Sequence, residues 1–148
     1  MEWQQLLDDW LSSWTGNNPN ELLQYYDTNC VYSDPTGQYS GHKQLIIYFR
    51  KLLSKNPNWI WRCKTNGLYP HQRDIYNNNN GTKWFTFEWI ASIPIQTKPG
   101  DTKVLKLTGI DLVEFDEKSK LIKTNHVFFN ANREYQQWLK YSLRKSKL

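Results

Sequence analysis

Apolar residues in the first third of the chain recur at spacings of three and four, which is the period of an α-helix. The clearest stripe consists of Trp3, Leu6, Leu7, Trp10, Leu11 and Trp14. The pattern predicts helices over residues 2–15, 19–26 and 41–55. Between the last two helices, residues 30–34 alternate between apolar and polar side chains and predict a short strand, which Pro35-Thr36-Gly37 ends.

From Trp59 onward the period of the apolar positions changes to two, which is typical of β-strands. The pattern predicts strands over residues 59–68, 83–96, 103–115 and 121–130. Residues 70–82 predict an exposed hairpin loop, and residues 131–147 predict a final helix. N-terminal helices that pack on one side of a strongly curved, mostly antiparallel sheet make an α+β fold. We expect a cone-shaped roll whose open end encloses a pocket.

The composition limits the class of protein. With 148 residues the chain suits one domain, 1–148, that is large enough for a core. Apolar residues make up 39%, and there is no run of about 20 apolar residues, which disfavours both disorder and a membrane span. Aromatic residues reach 16%, and large aromatic side chains either fill a core or line a pocket for an apolar ligand.

The formal net charge is +5, and much of the excess lies in the C-terminal tail. Because the chain has no nucleic-acid-binding motif, we interpret the tail as a solvated helix end and expect neither a nucleic-acid nor a membrane partner. Cys30 and Cys63 are too far apart to form a metal or redox motif, and there is no glycine-rich phosphate loop. The first residues do not resemble a secretory signal. We expect a cytoplasmic protein that needs no cofactor and no metal.

Two segments carry a resemblance to a known family. The first is residues 25–37, YYDTNCVYSDPTG, followed by Ser40-Gly41-His42. The second is residues 109–115, GIDLVEF, followed by KLI at 120–122 and HVFF at 126–129. The chain from residue 2 to about residue 130 resembles the nuclear transport factor two-like superfamily, in its SnoaL-like and ketosteroid-isomerase-like branch. The resemblance implies the fold strongly, but the superfamily mixes enzymes, ligand binders and transport factors.

Three polar residues are candidates for catalysis. Alternation along a strand places Tyr32 and Asp34 on one face, and it places Asp111 and His126 on rows that are otherwise apolar. If those rows face the pocket, the carboxyl group of Asp111 needs a partner or takes a raised pKa, which suits acid–base chemistry near neutral pH. We identify Asp34, Asp111 and His126 as the candidate catalytic set.

The resemblance implies a role for each acid. Asp34 matches the general base of ketosteroid-isomerase-like enzymes, and Asp111 matches their oxyanion-stabilising carboxylic acid. Trp10 stands where those isomerases carry a tyrosine donor, and this departure disfavours steroid isomerisation because an indole is far less acidic than a phenol. SnoaL-like cyclases use an aspartate in acid–base work on a polyketide. Structural interpretations of these residues stay open. Asp34 precedes Pro35, and an Asp-Pro pair is typical of a turn. Asp111 and His126 are also consistent with a buried pair that has only a structural role.

Seven aromatic residues are candidates for the pocket wall, and each also suits the core, because in a cone the core and the wall are the same surface. They are Trp10, Trp14, Tyr32, Trp61, Phe87, Trp89 and Phe128.

Three functions fit these observations. The first is an enzyme that moves a proton next to a carbonyl group on a hydrophobic cyclic small molecule. The second is a non-catalytic protein that binds such a molecule in the same pocket. The third is an interaction module, because the outer face of the sheet carries enough apolar surface to predict a homodimer. Its apolar residues are Trp84, Ile90, Ile110 and Leu112.

Overall fold

The computed structural model of the chain describes residues 2–15, 18–53, 60–63, 69–70 and 81–129. The helices are α1 (Glu2–Ser12), α2 (Asn20–Leu23) and α3 (Gly41–Leu53), and the strands are β1 (Tyr26–Asp34), β2 (Gly37–Ser40), β3 (Ile60–Cys63), β4 (Tyr69–Pro70), β5 (Thr82–Lys98), β6 (Asp101–Asp116) and β7 (Ile122–Phe129). Across the described ranges, no helix is long and apolar enough to cross a bilayer. The predicted C-terminal helix and most of the predicted asparagine-rich loop lie outside the described residues.

The strands form one curved sheet in the order β2-β1-β7-β6-β5-β3, with β4 also paired to β5. Only β1 and β7 run parallel among these pairs, and every other pair is antiparallel. The sheet is not closed, and the helices pack on its concave side. The predicted fold, helices on a strongly curved and mostly antiparallel sheet, is confirmed.

The start of the sheet differs from the sequence prediction. The second helix ends at Leu23, and Tyr26 already belongs to β1, where it pairs with Ile122 of β7. The turn at Pro35 does not end the strand structure either, because Asp34 pairs with Gly37 and the chain returns as β2. Both differences come from pairing with distant or returning segments, which local periodicity does not report.

The core lies between the helices and the concave face. Trp10 of α1 is fully buried and packs edge-on against Phe87, with ring centroids 5.7 Å apart. Trp14 packs against Phe49 of α3 at 5.1 Å and against Trp61 of β3 at 5.2 Å. Aromatic contacts of this kind join both helices to the sheet and leave a space between them on the concave side.

A β-bulge reverses the face pattern of the last strand. Phe115 pairs with Ile122 and Glu114 pairs with Thr124, so Lys123 is an extra residue in β7. Ile122 is fully buried, and after the bulge Asn125 and Val127 face inward. The residues between them therefore face outward, and the predicted inward row through His126 and Phe128 is wrong.

Candidate functional site

The space on the concave side, here called the central cavity, lies between α1, α3 and the sheet. Its empty volume, including the open mouth, is about 500 Å³. Only about 40 Å³ of space is wide enough to hold the centre of a water molecule. The wall is mostly apolar and aromatic, and it consists of Leu11, Trp14, Tyr32, Asp34, Tyr48, Leu52, Trp61, Trp89, Leu107, Asp111, Val127 and Phe129. A ligand larger than a few water molecules therefore has to move parts of the wall apart.

Four of the seven predicted aromatic wall residues line the central cavity: Trp14, Tyr32, Trp61 and Trp89. The other three do not. Trp10 and Phe87 pack against each other in the core. Phe128 is 58% exposed and lines a shallow groove on the opposite face. Sequence reasoning missed Tyr48, because α3 was interpreted only through its apolar stripe.

Asp34 lies at the end of β1 and is surrounded by donors. One carboxylate oxygen accepts the backbone N–H of Thr36 at 2.7 Å and its hydroxyl at 2.5 Å. The other accepts the hydroxyl of Tyr32 at 3.0 Å and the hydroxyl of Tyr48. The bond to the Thr36 N–H is the turn-stabilising contact that an Asp-Pro pair predicts, so Asp34 both holds the turn and lines the central cavity.

Asp111 lies in the middle of β6 and is 5% exposed. Its Oδ1 accepts the indole N–H of Trp89 at 2.7 Å, and its Oδ2 accepts the side-chain amide of Asn125 at 2.9 Å. Burial raises the pKa of this carboxyl group to about 7, against the lowering effect of the two hydrogen bonds, and the nearby Asp34 raises it further. Near neutral pH, the group is able both to give and to take a proton.

Asn125 connects Asp111 to the core. Its amide oxygen accepts the hydroxyl of Tyr26 at 2.9 Å, while its amide N–H₂ donates to Asp111. Tyr26 is fully buried, and burial together with the charge of Asp111 holds the pKa of its hydroxyl well above the usual range, so the phenol stays a donor. The chain Tyr26–Asn125–Asp111 therefore orients the amide and fixes the carboxyl group. Sequence reasoning missed Asn125, because the β-bulge changes which residues of β7 face inward.

Gly109 makes the bond between Trp89 and Asp111 possible. Trp89 and Gly109 are direct partners across β5 and β6, and Asp111 lies two residues further along the same face. A Cβ atom at position 109 would come within 2.3 Å of the Trp89 ring and 2.5 Å of the backbone oxygen of Phe128. The missing side chain lets the indole lie across β6 with its N–H directed at the carboxylate.

His126 does not belong to the central cavity. It pairs with Ser33 across β1 and β7, and its Nδ1 lies 2.5 Å from the Ser33 hydroxyl oxygen. The alternation after the bulge directs both side chains to the outer face, away from Asp111. Of the predicted set of two acids and an imidazole, the structure brings only the two acids to the central cavity, and their catalytic role stays a prediction. Within the described part of the chain, no group of His, Cys, Asp and Glu side chains has the arrangement of a metal site.

Comparison with solved structures identifies the fold. A SnoaL-like protein from Shewanella putrefaciens CN-32, named as a candidate polyketide cyclase, matches with a TM-score of 0.68 and 12% identity over 98% of this chain and 87% of the other. A nuclear transport factor two-like superfamily protein from Salmonella enterica serovar Typhimurium matches with a TM-score of 0.69 and 14% identity, over 89% and 91%. A pinacolase from Penicillium brevicompactum matches with a TM-score of 0.63 and 12% identity, over 99% and 92%.

These likenesses define the class of fold. The chain has the nuclear transport factor two-like fold, in the form found in SnoaL-like and ketosteroid-isomerase-like proteins, as the sequence resemblance predicts. No protein-family model matches the chain, and neither does any curated protein. At this level of identity the shared property is the fold, and the activity has to be argued from the residues of the central cavity.

Proposed function

We propose that the central cavity binds an apolar small molecule with a carbonyl group and catalyses proton transfer at the carbon next to it. The observation that carries the proposal is the buried carboxyl group of Asp111, whose pKa is raised to about 7, in a wall that it shares with Asp34. Two carboxyl groups in different surroundings suit one acid and one base at the same pH.

The surroundings suggest a role for each acid. Asp34 lies among hydroxyl and N–H donors and is suited to act as the base that takes the proton. Asp111 lies among rings, and because burial raises its pKa to about 7, its protonated form is accessible near neutral pH. Its O–H then donates to the carbonyl oxygen as that oxygen becomes an enolate. The electron pair of the broken C–H bond forms the enolate, and Asp34 holds the proton until it returns to the substrate.

The wall supports a hydrophobic ligand. Aromatic and aliphatic side chains outnumber the polar ones, and the ring centroids of two lining residues, Trp61 and Trp89, lie 4.9 Å apart. The structural neighbours include a candidate polyketide cyclase and a protein named as a pinacolase. The free space is small, so a cyclic substrate requires the wall to open on binding.

Exchange of α-protons with D₂O, followed by NMR over a panel of cyclic ketones, tests the proposal. Asp34→Asn and Asp111→Asn should each lower the exchange rate by about 100-fold or more. Asp101→Asn is the matched control, because Asp101 is exposed at the start of β6, far along the strand from Asp111. Exchange that is unchanged in both cavity variants would remove the mechanism.

A non-catalytic binding protein is the second candidate, and the tight, mainly apolar wall favours it. Ligands would then be held by the rings, and the two acids would only orient them. Thermal-shift measurements separate the candidates: a binder would be stabilised equally by apolar ligands in the wild type and in the two Asn variants. A ligand whose binding depends on Asp34 and Asp111, together with α-proton exchange, would count against pure binding.

We also propose that the outer face of the sheet joins two copies of the chain. Ile110 and Phe128 are direct partners on β6 and β7, and they are 47% and 58% exposed. Glu88 and Lys106 lie on the same face of β5 and β6 as this apolar pair. Sedimentation that shows only monomers at tens of micromolar (about the dissociation constant of a weak interface) would contradict this. A cytoplasmic location, without nucleic-acid or membrane partners, remains part of the proposal.

A further inference from the structure

The charges of the central cavity are of one sign. Its wall holds the two carboxyl groups of Asp34 and Asp111, and among the described residues that line it there is no Lys, Arg or His. Asp34 also raises the pKa of Asp111, so the two groups are close enough to interact. A negatively charged ligand would bring a charge of the same sign as an ionised carboxylate into a space with little water, which is unfavourable.

The rings of the wall suit a cation. Trp14, Trp61 and Trp89 follow one another with centroids 5.2 Å and 4.9 Å apart. Tyr32 and Tyr48 form a second group at 5.7 Å, next to Asp34. The π faces of Trp and Tyr attract organic cations, most strongly where water is excluded, and groups of such rings are typical of sites for quaternary ammonium ligands.

Asp34 is the acid that is better placed to balance the charge of a bound cation. Both acids accept hydrogen bonds from protein groups through both oxygens, but Asp111 is only 5% exposed. Asp34 is half-buried at the end of β1, and two ring hydroxyls from the wall point to it. A cation beside Asp34 would therefore meet the carboxylate and the tyrosine rings together.

We propose that the ligand of the central cavity carries a small organic ammonium group, which the rings of the wall surround and which Asp34 balances in charge. The proposal rests on the proposed ligand site and not on the proposed proton transfer. A carbonyl group and an ammonium group can belong to one ligand, so the two proposals are compatible.

Three probes of equal branching and different charge test the proposal on the wild-type protein. They are choline, its neutral isostere 3,3-dimethyl-1-butanol, and 3,3-dimethylbutanoate as the anion. Calorimetry and tryptophan fluorescence at low and at physiological salt measure their affinities. Choline should bind about tenfold more tightly than the neutral isostere, with the anion weakest. Equal or tighter binding of the neutral isostere, or no binding of choline, would overturn the proposal.

Variants show where the cation lies. Asp34→Asn and Trp61→Leu should each remove most of the preference for choline over the neutral isostere. Trp84→Leu is the matched control, because Trp84 lies on the outer face of β5 and should leave the preference unchanged. A preference that survives in both cavity variants would refute the assigned site. Far-ultraviolet circular dichroism confirms that each variant is folded, and the wild-type probe series decides the charge question without any variant.

The two proposals fail separately. A preference for choline without α-proton exchange on any ketone would support the ammonium site and contradict the proposed proton transfer. Exchange that depends on Asp34 and Asp111, with no preference for the cationic probe, would overturn the ammonium site alone.

Discussion

Replacing Asp111 by Asn should change how the stability of the protein depends on pH. Folding raises the pKa of the Asp111 carboxyl group from 3.8 to about 7, and desolvation is the main cause. This rise in pKa corresponds to about 4 kcal/mol in the free energy of unfolding. This is an upper limit, because relaxation around the ionised group recovers part of the cost.

The sign follows from the protons that each state binds. Between about pH 4 and pH 7, the folded state holds a proton on Asp111 and the unfolded state does not. The free energy of unfolding therefore falls as the pH rises through this range, and the contribution is constant below and above it. In Asp111→Asn this contribution is absent, because the amide does not titrate.

Urea unfolding at half-unit steps from pH 4 to pH 8 measures the effect. The free energy of unfolding of the wild type, minus that of Asp111→Asn, should fall by up to about 4 kcal/mol between the two ends. Asp101→Asn corrects for the loss of an exposed acid. A difference that stays constant across the range would refute the argument, since Asp111 would then not titrate near neutral pH in the folded protein.

Three further predictions concern the neighbours of Asp111 and the outer face. Gly109→Ala should destabilise the protein by about 1–3 kcal/mol in urea unfolding, because the new Cβ displaces the Trp89 ring, whereas Thr108→Ala next to it should have little effect. Tyr26→Phe should cost about 1–3 kcal/mol, because it leaves the buried oxygen of Asn125 without its donor; an unchanged urea midpoint would contradict the chain of bonds. Ile110→Lys should shift sedimentation to the monomer, and an unaltered sedimentation coefficient at tens of micromolar (about the range of a weak interface) would argue against the proposed dimer face.

Part of the site was predictable from strand alternation alone. Period two placed Tyr32 and Asp34 on one face of β1, and it placed Trp89 and Asp111 on one face of their strands, where the structure has them. This worked because these strands keep their alternation through the residues of the site. The C-terminal helix prediction lies outside the described residues and stays a prediction.

Other parts needed pairing between segments that are far apart in the chain. Lys123 is an extra residue where β7 pairs with β6. It places Asn125, rather than His126, on the inner face. Trp10 and Trp14 share one helical stripe, yet only Trp14 lines the central cavity, because Trp10 packs edge-on against Phe87 in the core.

The sequence by itself determined the type and order of the longer elements and the direction of side chains along regular strands, because propensity and periodicity act between near neighbours. The tertiary structure decided where a strand takes an extra residue, which aromatic ring closes the core and which lines the central cavity, and which partner each acid receives. These outcomes depend on packing and hydrogen bonds between residues up to 99 positions apart, as between Tyr26 and Asn125, and no local pattern contains them.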